Sequence, residues 1–539
     1  MVNTIQKYPL ATLFSVIVLM LLIHLNVPNI TIMEARNFIT AREMIDNGNW
    51  ILTTMNGEPR YQKPPLPTWF TAISALIFGV KSLFALRLPA ALMVFVLGIA
   101  AYFLSLKLKL SKVQALNNGL ILTTSFYVFA IINEAPWDIY AHAFMLSGLY
   151  FLFLIFEKEN NKWKNTLFAG ILIGCSILSK GPVSLFALFL PFIISYGIVF
   201  KFKKTKIVPF LASIILFLIV GAWWFAYVRY ADPEAFLKIA TKETGNWSSY
   251  NVRPFYYYWS FFTQSGLWTI PAFIGLLYPY LVKRVKNTKA YKFTFWWTIL
   301  AVVLLSAIPE KKARYLMPVL IPLALNTGFY IQYLIKNFSQ LKKKAETIPV
   351  YFNFGIISVC ALAIPIALYF ILKEDLQNYL FNYLATSIAG VLIGVLLLKN
   401  LLRKNMLNTF YLTIAFMVSV FLFGLPISKH FNKNKAYNNI TSLHTIEEKN
   451  NITAYSIGEM APEFIWNYNG IIKNIYKNEE LLIPSEEKFG LLILDEDFEN
   501  IKTKLNSTYS INLKETYNLN VSKRKRTRLV RNLYIVSKK

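Results

Sequence analysis

The chain has 539 residues, 55% of them hydrophobic and 16% aromatic, and still carries a formal net charge of +28. Apolar runs of about 20 residues, long enough to cross about 30 Å of hydrocarbon, recur almost from end to end, which excludes a soluble chain split into compact domains. Cys175 and Cys360 both fall inside apolar runs, which excludes a disulfide framework and a thiolate metal site; His24, His142, His430 and His444 are scattered without metal-ligand spacing and read as structural.

Residues 10–28, "LATLFSVIVLMLLIHLNVP", are long for a secretory signal and no small-residue cleavage site follows, so they read as a retained first span. Residues 33–50, "MEARNFITAREMIDNGNW", read as an outer juxtamembrane helix ended by Asn47-Gly48, with Glu34 and Arg36 at its start. In "YQKPPLPTWF", residues 61–70, Lys63 stands directly before Pro64, Pro65 and Pro67, where a backbone lacking an N–H can begin a helix at the interface and hold the adjacent cation in place.

Basic loops then punctuate the apolar runs, starting at Lys107, Glu157, Lys201, Lys283, Lys336 and Lys399, and positive loops stay in the cytoplasm. Between consecutive loops lies a pair of apolar runs: 113–132 and 138–156, 165–179 and 182–200, 207–229 and 257–282, 293–308 and 315–335, 349–372 and 378–398. With the amino terminus inside, parity makes 88–106 a crossing and 66–82 a juxtamembrane or re-entrant segment. A last span near 406–427 gives about 13 spans. The expectation is a polytopic α-helical membrane protein with a transmembrane domain over 1–429, a first outer loop with juxtamembrane helices over 29–87, and an extracytoplasmic domain over 430–539. Short strand-like runs "TAYSIG", "FGLLILD", "STYSINL" and "NLYIVS", with helix-like "DFENIKTKLN" between two of them, make that last domain a small α/β unit. Its basic cluster "SKRKRTRLVR" reads as a solvated face, with contact to anionic headgroups physically reasonable.

On this map a second set of cations lies on the outer side against the sorting rule: Arg36, Lys63, Arg87, Lys180, Lys311, Lys312 and Arg314. A Lys or Arg at mid-membrane costs about 2.5–3.5 kcal/mol, less near the interface where long stems reach water. Snorkelling accounts for any one of them. Seven together suit a phosphate, which the guanidinium fork binds bidentately and the ammonium neutralises as a point charge. On the acidic side, Asp138 opens a span in "EAPWDIYAHAF", with Glu134 one turn before it and His142 one turn after. A helix-start carboxylate has an ordinary capping role available. Beside a phosphate-binding cluster it is also a general-base candidate.

Taken in order, "EARNFITAREMIDNGNWILTTMNGEPRYQKPPLPTWF", "LFALRLPAAL", "WDIYAHAF", "LSKGPVSL", "RPFYYYW" and "KKARYLMPVLIP" resemble the bacterial lipid A aminoarabinose transferases and the related protein O-mannosyltransferases, membrane glycosyltransferases of the C fold, over roughly residues 30–330. The resemblance implies transfer of a sugar from polyprenyl phosphate, with the catalytic carboxylates matching Glu34 and Asp138 and a lipid phosphate held by Arg36, Lys63 and Tyr315; Lys180, Lys312 and Arg314 join the phosphate set from the charge argument. The family's Asp-Glu pair is here Met33-Glu34, so its first acid is missing, which leaves three readings open: Glu34 takes over, Asp138 serves alone, or the activity is altered. The Glu and His that bind zinc in some aminoarabinose transferases are here Gln62 and Asn251, neither a usual zinc ligand, so no such site and no cofactor is expected, with a divalent metal left open.

The chemistry agrees with that reaction. A lipid phosphate leaves readily once Lys and Arg meet its developing charge, so a carboxylate that takes the acceptor proton is the main remaining need, and backside attack inverts the anomeric centre. The expected localisation is the bacterial inner membrane, with the active site facing the periplasm. The sugar, hexose or pentose, is open, as is an acceptor among lipid A, a surface glycan or a protein. A transporter or flippase of polyprenyl-phosphate-linked sugars needs the same cations, but also paired repeats and broken mid-membrane helices, which the sequence does not show. A scaffold protein leaves the outer cations without a purpose.

Overall fold

Lipid offers the backbone no hydrogen-bond partner, so each crossing must satisfy its own N–H and C=O groups, and this chain does so with helices. The structure, a computed structural model, describes residues 2–157, 160–477, 480–505, 508–523 and 525–539. Lys158 and Glu159 of one basic loop, Asn506 and Ser507 at the ends of an expected helix and strand, and Arg524 of the basic cluster lie outside the described residues.

Among the described residues eight helices are long and apolar enough to cross a membrane: Leu83–Lys107, Pro136–Glu157, Lys204–Ala231, Thr288–Ala307, Ala313–Gln340, Lys344–Asp375, Gln377–Leu402 and Met406–Phe431. Lys112–Thr123 and Phe126–Glu134 form a further pair bent by 43°. Shorter apolar helices cover Pro9–Leu22, Leu66–Phe78 and Leu185–Val199. The 13 residues of Leu66–Phe78 extend about 20 Å, short of a crossing. Residues 257–282, expected as one span, are instead a succession of short turns and helices: Phe255–Tyr258, Phe261–Trp268, Thr269–Gly275 and Tyr278–Leu281. Gly266 breaks the run with φ 65°, and Pro271 and Pro279 follow within 13 residues of it.

Contacts divide the chain into two compact units, one of Met1–Val27 with Tyr61–Ile427 and one of Pro28–Arg60 with Ser428–Lys539. In the first, helix Pro136–Glu157 packs on Lys162–Lys180, which packs on Ile207–Ala231. Ser176 Oγ donates to the Ala141 carbonyl at 2.7 Å across the first of these contacts. Glycines let the second approach closely: a Cβ on Gly170 would stand 2.6 Å from Leu216, and one on Gly174 would stand 2.6 Å from Val220 and 3.2 Å from the Phe217 carbonyl oxygen. With no water to expel between helices in lipid, such close backbone packing is the main source of association.

In the second unit, helix Ile32–Asn47 is capped at Thr31, whose hydroxyl accepts from the Glu34 N–H while the Glu34 carboxylate accepts from the Thr31 N–H at 3.0 Å, and Gly48 ends it at φ 73°. The sheet runs in the order Ala454–Ser456, Lys488–Ile493, Val530–Lys538, Tyr509–Asn518, with the first pair parallel and the others antiparallel. Ile39 of the helix shares a buried core with Ile440, Leu443, Phe464, Leu492 and Leu533. Arg42 donates to the Gly470 carbonyl at 3.1 Å, and Asn56 Nδ2 to the Ile472 carbonyl at 2.7 Å. Residues 28–60, far away in sequence, are thus built into the carboxy-terminal unit.

Gly174→Leu forces the Lys162–Lys180 and Ile207–Ala231 helices apart and is expected to lower stability by about 1–3 kcal/mol. Gly245, where an added Cβ would meet nothing within 4 Å, is the control: Gly245→Ala leaves the unfolding temperature in detergent unchanged or slightly raised.

Candidate active site

Two helix ends build the centre of the site in the membrane unit. Pro136 opens helix Pro136–Glu157, placing Asp138 in the first turn, where the helix end favours an anion. Lys180 is the last residue of Lys162–Lys180, where the helix end favours a cation; Gly181 stops the helix at φ 75° and Pro182 follows. Because the two helices are antiparallel neighbours, these ends meet. Lys180 Nζ lies 2.6 Å from Asp138 Oδ2, with the side chains only 9% and 3% exposed.

A third wall comes from residues 308–315. The backbone of this segment is tied to residues 247–253: Glu310 N–H donates to the Trp247 carbonyl at 3.2 Å, Lys311 N–H to the Asn251 carbonyl at 3.1 Å, and Arg253 N–H to the Pro309 carbonyl at 3.1 Å. Lys312 Nζ donates to Glu310 Oε1 at 2.6 Å, and the Tyr315 hydroxyl donates to the same oxygen at 3.0 Å. The Tyr258 hydroxyl donates to the Lys312 carbonyl at 3.1 Å, and burial raises the pKa of that phenol, keeping it a donor. Around the Tyr315 ring stand Lys180 at 5.3 Å, Lys312 at 5.4 Å and Arg314 at 5.7 Å from its centroid. Three cations from two elements therefore share one aromatic ring, within the range of cation–π attraction.

Lys63 approaches along the chain leading into Leu66–Phe78, and its Nζ lies 3.7 Å from Glu243 Oε2. Glu243 belongs to helix Pro233–Ser249, which has no buried residue and which the sequence does not announce, because its polar composition resembles a loop. Asp232 caps this helix by accepting from the Ala235 N–H, and its other oxygen accepts from the Tyr61 hydroxyl at 2.8 Å. Burial first, then that hydrogen bond, raises the Tyr61 pKa. The helix and the residues after it thereby link the Lys63 segment at one end to the Glu310 segment at the other.

Two of the seven outer cations are committed elsewhere. Arg87, 2% exposed, donates to the Leu25 carbonyl at 2.5 Å. Lys311 turns its ammonium onto the carbonyls of Arg253 and Ile308 at 3.1 and 2.5 Å, and burial lowers its pKa. Both serve the backbone. Glu34 and Arg36 lie in the second unit, where Glu34 is fully buried in its capping box and Arg36 places Nη1 3.8 Å from Met33 Sδ. His142 also has a structural partner, with Nδ1 3.0 Å from Ser184 Oγ. Among the described residues no three His, Cys, Asp or Glu side chains are grouped so as to hold a metal ion, and Gln62 and Asn251 bring only amides.

Sequence pattern alone does not single out Glu310, although it is the only acid in "IPEKKARYLMP" and so the one counter-charge available there. Its carboxylate offers Lys312 and Tyr315 the negative oxygen that a phosphate would otherwise supply. The arrangement suits anion exchange: cations already gathered, two of which, Lys180 and Lys312, are held by carboxylates that an incoming phosphate can replace.

The chain is similar to known proteins in sequence and fold. Residues 62–225 match the family described as dolichyl-phosphate-mannose-protein mannosyltransferase. The chain is 26% identical over 430 residues to an uncharacterised protein of Aquifex aeolicus, covering 78% of each. It is 24% identical over 410 residues to the undecaprenyl phosphate-alpha-4-amino-4-deoxy-L-arabinose arabinosyl transferase of Aeromonas hydrophila, covering 73% of this chain and 72% of that one. Its fold matches the crystal structure of ArnT from Cupriavidus metallidurans bound to undecaprenyl phosphate, with a TM-score of 0.63 and 13% identity over 98% of this chain and 97% of the other. The chain has the apolar helices of a multi-pass membrane protein, shares its fold with ArnT and resembles the aminoarabinose transferases in sequence.

Removing one member of the buried Asp138–Lys180 pair strands the other charge. Lys180→Met is expected to destabilise the protein by about 3–5 kcal/mol. Asp138→Asn combined with Lys180→Met should recover most of that loss, read as the unfolding temperature of the purified protein in detergent.

Proposed function

We propose that this protein moves a sugar from a polyprenyl-phosphate donor to an acceptor hydroxyl or phosphate at the periplasmic face of the bacterial inner membrane, with inversion at the anomeric carbon. The observation that carries the reading is the set of Lys180, Lys312 and Arg314 around Tyr315, with Asp138 against Lys180. Resemblance to enzymes named for undecaprenyl phosphate supports the choice of donor.

In this mechanism the donor phosphate draws Lys312 and Tyr315 from Glu310 and Lys180 from Asp138. Lys63, at the mouth of the helix that follows it, adds charge to the same phosphate, as the family resemblance implies. Asp138, released from its ion pair, accepts the proton of the acceptor hydroxyl as the acceptor oxygen bonds to the anomeric carbon. The bond from that carbon to the phosphate oxygen breaks, its electron pair stays on the phosphate, and the cations meet the charge that develops there. Glu34 is occupied by its capping box, so the base role falls to Asp138 even though the family's first acid is replaced by Met33. Lipid A, a surface glycan or a protein supplies the acceptor, and the transferred unit is a hexose or pentose. The membrane unit performs the transfer, and the unit that contains residues 430–539 faces the periplasm.

Purified protein in detergent, given a total lipid extract of its own organism that contains acceptor, should release free polyprenyl phosphate, followed by mass spectrometry. Asp138→Asn is expected to slow release by about 10²–10⁴-fold, the range for a lost general base. Tyr315→Phe, which removes one hydrogen bond to a charged group, should cost about 10–100-fold. Glu310→Gln removes the internal competitor for Lys312 and lowers KM for the donor. Movement of intact lipid-linked sugar across a bilayer with no release of polyprenyl phosphate would identify a flippase instead.

A further inference from the structure

The basic cluster near the carboxy terminus is not a diffuse charged face. Asn520, 4% exposed, closes the base of a loop that carries Lys523 and Lys525: its Oδ1 accepts from the Arg526 N–H at 2.9 Å, and its Nδ2 donates to the Arg526 carbonyl at 3.2 Å. Lys523, Lys525 and Arg526 on this loop are all exposed. Arg528, two residues on, is bound by Glu463 through two hydrogen bonds of 2.9 and 2.8 Å, so the loop's charge ends where the pairing begins.

A second strand of cations is fastened to this loop from elsewhere in the same unit. The Asn434 side chain donates to the Asn520 carbonyl at 2.6 Å, and its N–H donates to the Val521 carbonyl at 3.3 Å. Asn438 and Asn518 exchange two backbone hydrogen bonds of 2.9 Å. These contacts bring Lys433 and Lys435, both exposed, alongside the loop. Residues 428–438 and 519–527 contain no Asp or Glu. Glu515, the nearest acid before the loop in sequence, is engaged as acceptor for Asn438 Nδ2 at 2.8 Å.

Chain continuity places the patch. The apolar helix Met406–Phe431 ends only two residues before Lys433, and Lys429 lies in its last turn. Residues 432–435 cannot travel more than about 14 Å from the end of that helix even when fully extended. Phe431 and Tyr437, 59% and 43% exposed, flank the lysines with amphipathic rings of the type that settle at headgroup depth. A polybasic segment directly after a crossing, with aromatic residues on either side, has the chemistry that anionic headgroups attract.

We propose that Lys429, Lys433, Lys435, Lys523, Lys525 and Arg526 form a docking surface for anionic phospholipid headgroups of the membrane in which the protein sits. The surface goes beyond the transfer reaction and depends on none of its residues. It draws Lys433, Lys435, Lys523, Lys525 and Arg526 toward the headgroups.

The test uses the full-length protein with Cys175 and Cys360 replaced by serine, Thr527→Cys carrying a fluorophore, and nanodiscs containing a small fraction of headgroup-spin-labelled phosphatidylcholine. Quenching is compared between pure phosphatidylcholine and discs with about 30% phosphatidylglycerol, the anionic surface that should draw the loop down. The expected result is at least about twofold stronger quenching in the anionic discs, falling back to the neutral level at about 0.5 M NaCl, where the Debye length is only a few Å. Changing Lys429, Lys433, Lys435, Lys523, Lys525 and Arg526 to Gln should abolish the difference. Equal quenching in the two lipids overturns the proposal, and because that comparison is made without the Gln changes, it does not depend on how the Gln variant folds. A difference that persists in the Gln variant also overturns it, since the attraction would then lie outside these residues.

Discussion

A charge at the edge of hydrocarbon must be answered by another charge, and the membrane unit is organised around one such answer, the pair Asp138–Lys180. Water cannot solvate either group at that depth, so the two helix ends that carry them have to meet. Meeting requires the helices to run antiparallel, to start and stop at defined residues, and to lie close together. Pro136 and Gly181 supply the ends, and Ser176, bonded to the Ala141 carbonyl, ties the two helices to each other. The polarity of the helix ends adds to the pair, because each charge lies at the end that favours it.

The same rule extends outward from that pair. Lys312 is answered by Glu310 and Lys63 by Glu243, while Arg87 and Lys311 turn to backbone carbonyls. The distinction has functional meaning. A cation whose partner is a neighbouring main-chain carbonyl helps hold the fold and has little reason to leave, whereas a cation whose partner is a carboxylate can exchange it for another anion at modest net cost. Lys180 and Lys312 are of the second kind and both lie against the Tyr315 ring. An anion arriving there trades places with groups that are already charged, so its binding does not require naked ammonium groups to be kept ready in an apolar site.

The carboxy-terminal unit answers its cations in the same two ways. Among its buried cations Arg42 and Arg531 donate to main-chain carbonyls, and the half-buried Arg528 is fixed by both oxygens of Glu463. What remains outside, on the loop closed by Asn520 and on the segment that follows the last helix, is positive and exposed. Asparagines set the shape of that surface: Asn520 and Asn434 satisfy backbone groups on both segments, which a lysine-rich loop could not do for itself.

Much of this was legible in the sequence because the relevant signals are local. Apolar length marks crossings, Asn47-Gly48 marks the end of the outer helix, and alternating strand-like runs mark the sheet of the last domain; each depends on residues within a few positions of one another. Asp138, Lys180, Lys312, Arg314 and Tyr315 stood out for the same reason, being polar residues at the edges of apolar runs. Which of them touch was decided only by tertiary structure. The sequence could not separate Lys311 from Lys312, adjacent cations of which one turns to the backbone and the other to Glu310, since that choice depends on residues 247–258 folding against them. Nor could it show that 28–60 joins 428–539, because the shared core around Ile39 is made of residues some 400 positions apart. Helix Pro233–Ser249 escaped for a related reason: with no residue buried it lacks the apolar stripe that marks a helix in sequence. Local pattern thus determined the elements and the chemistry on offer, while pairing of charges, which acts through space between distant segments, decided how that chemistry is arranged.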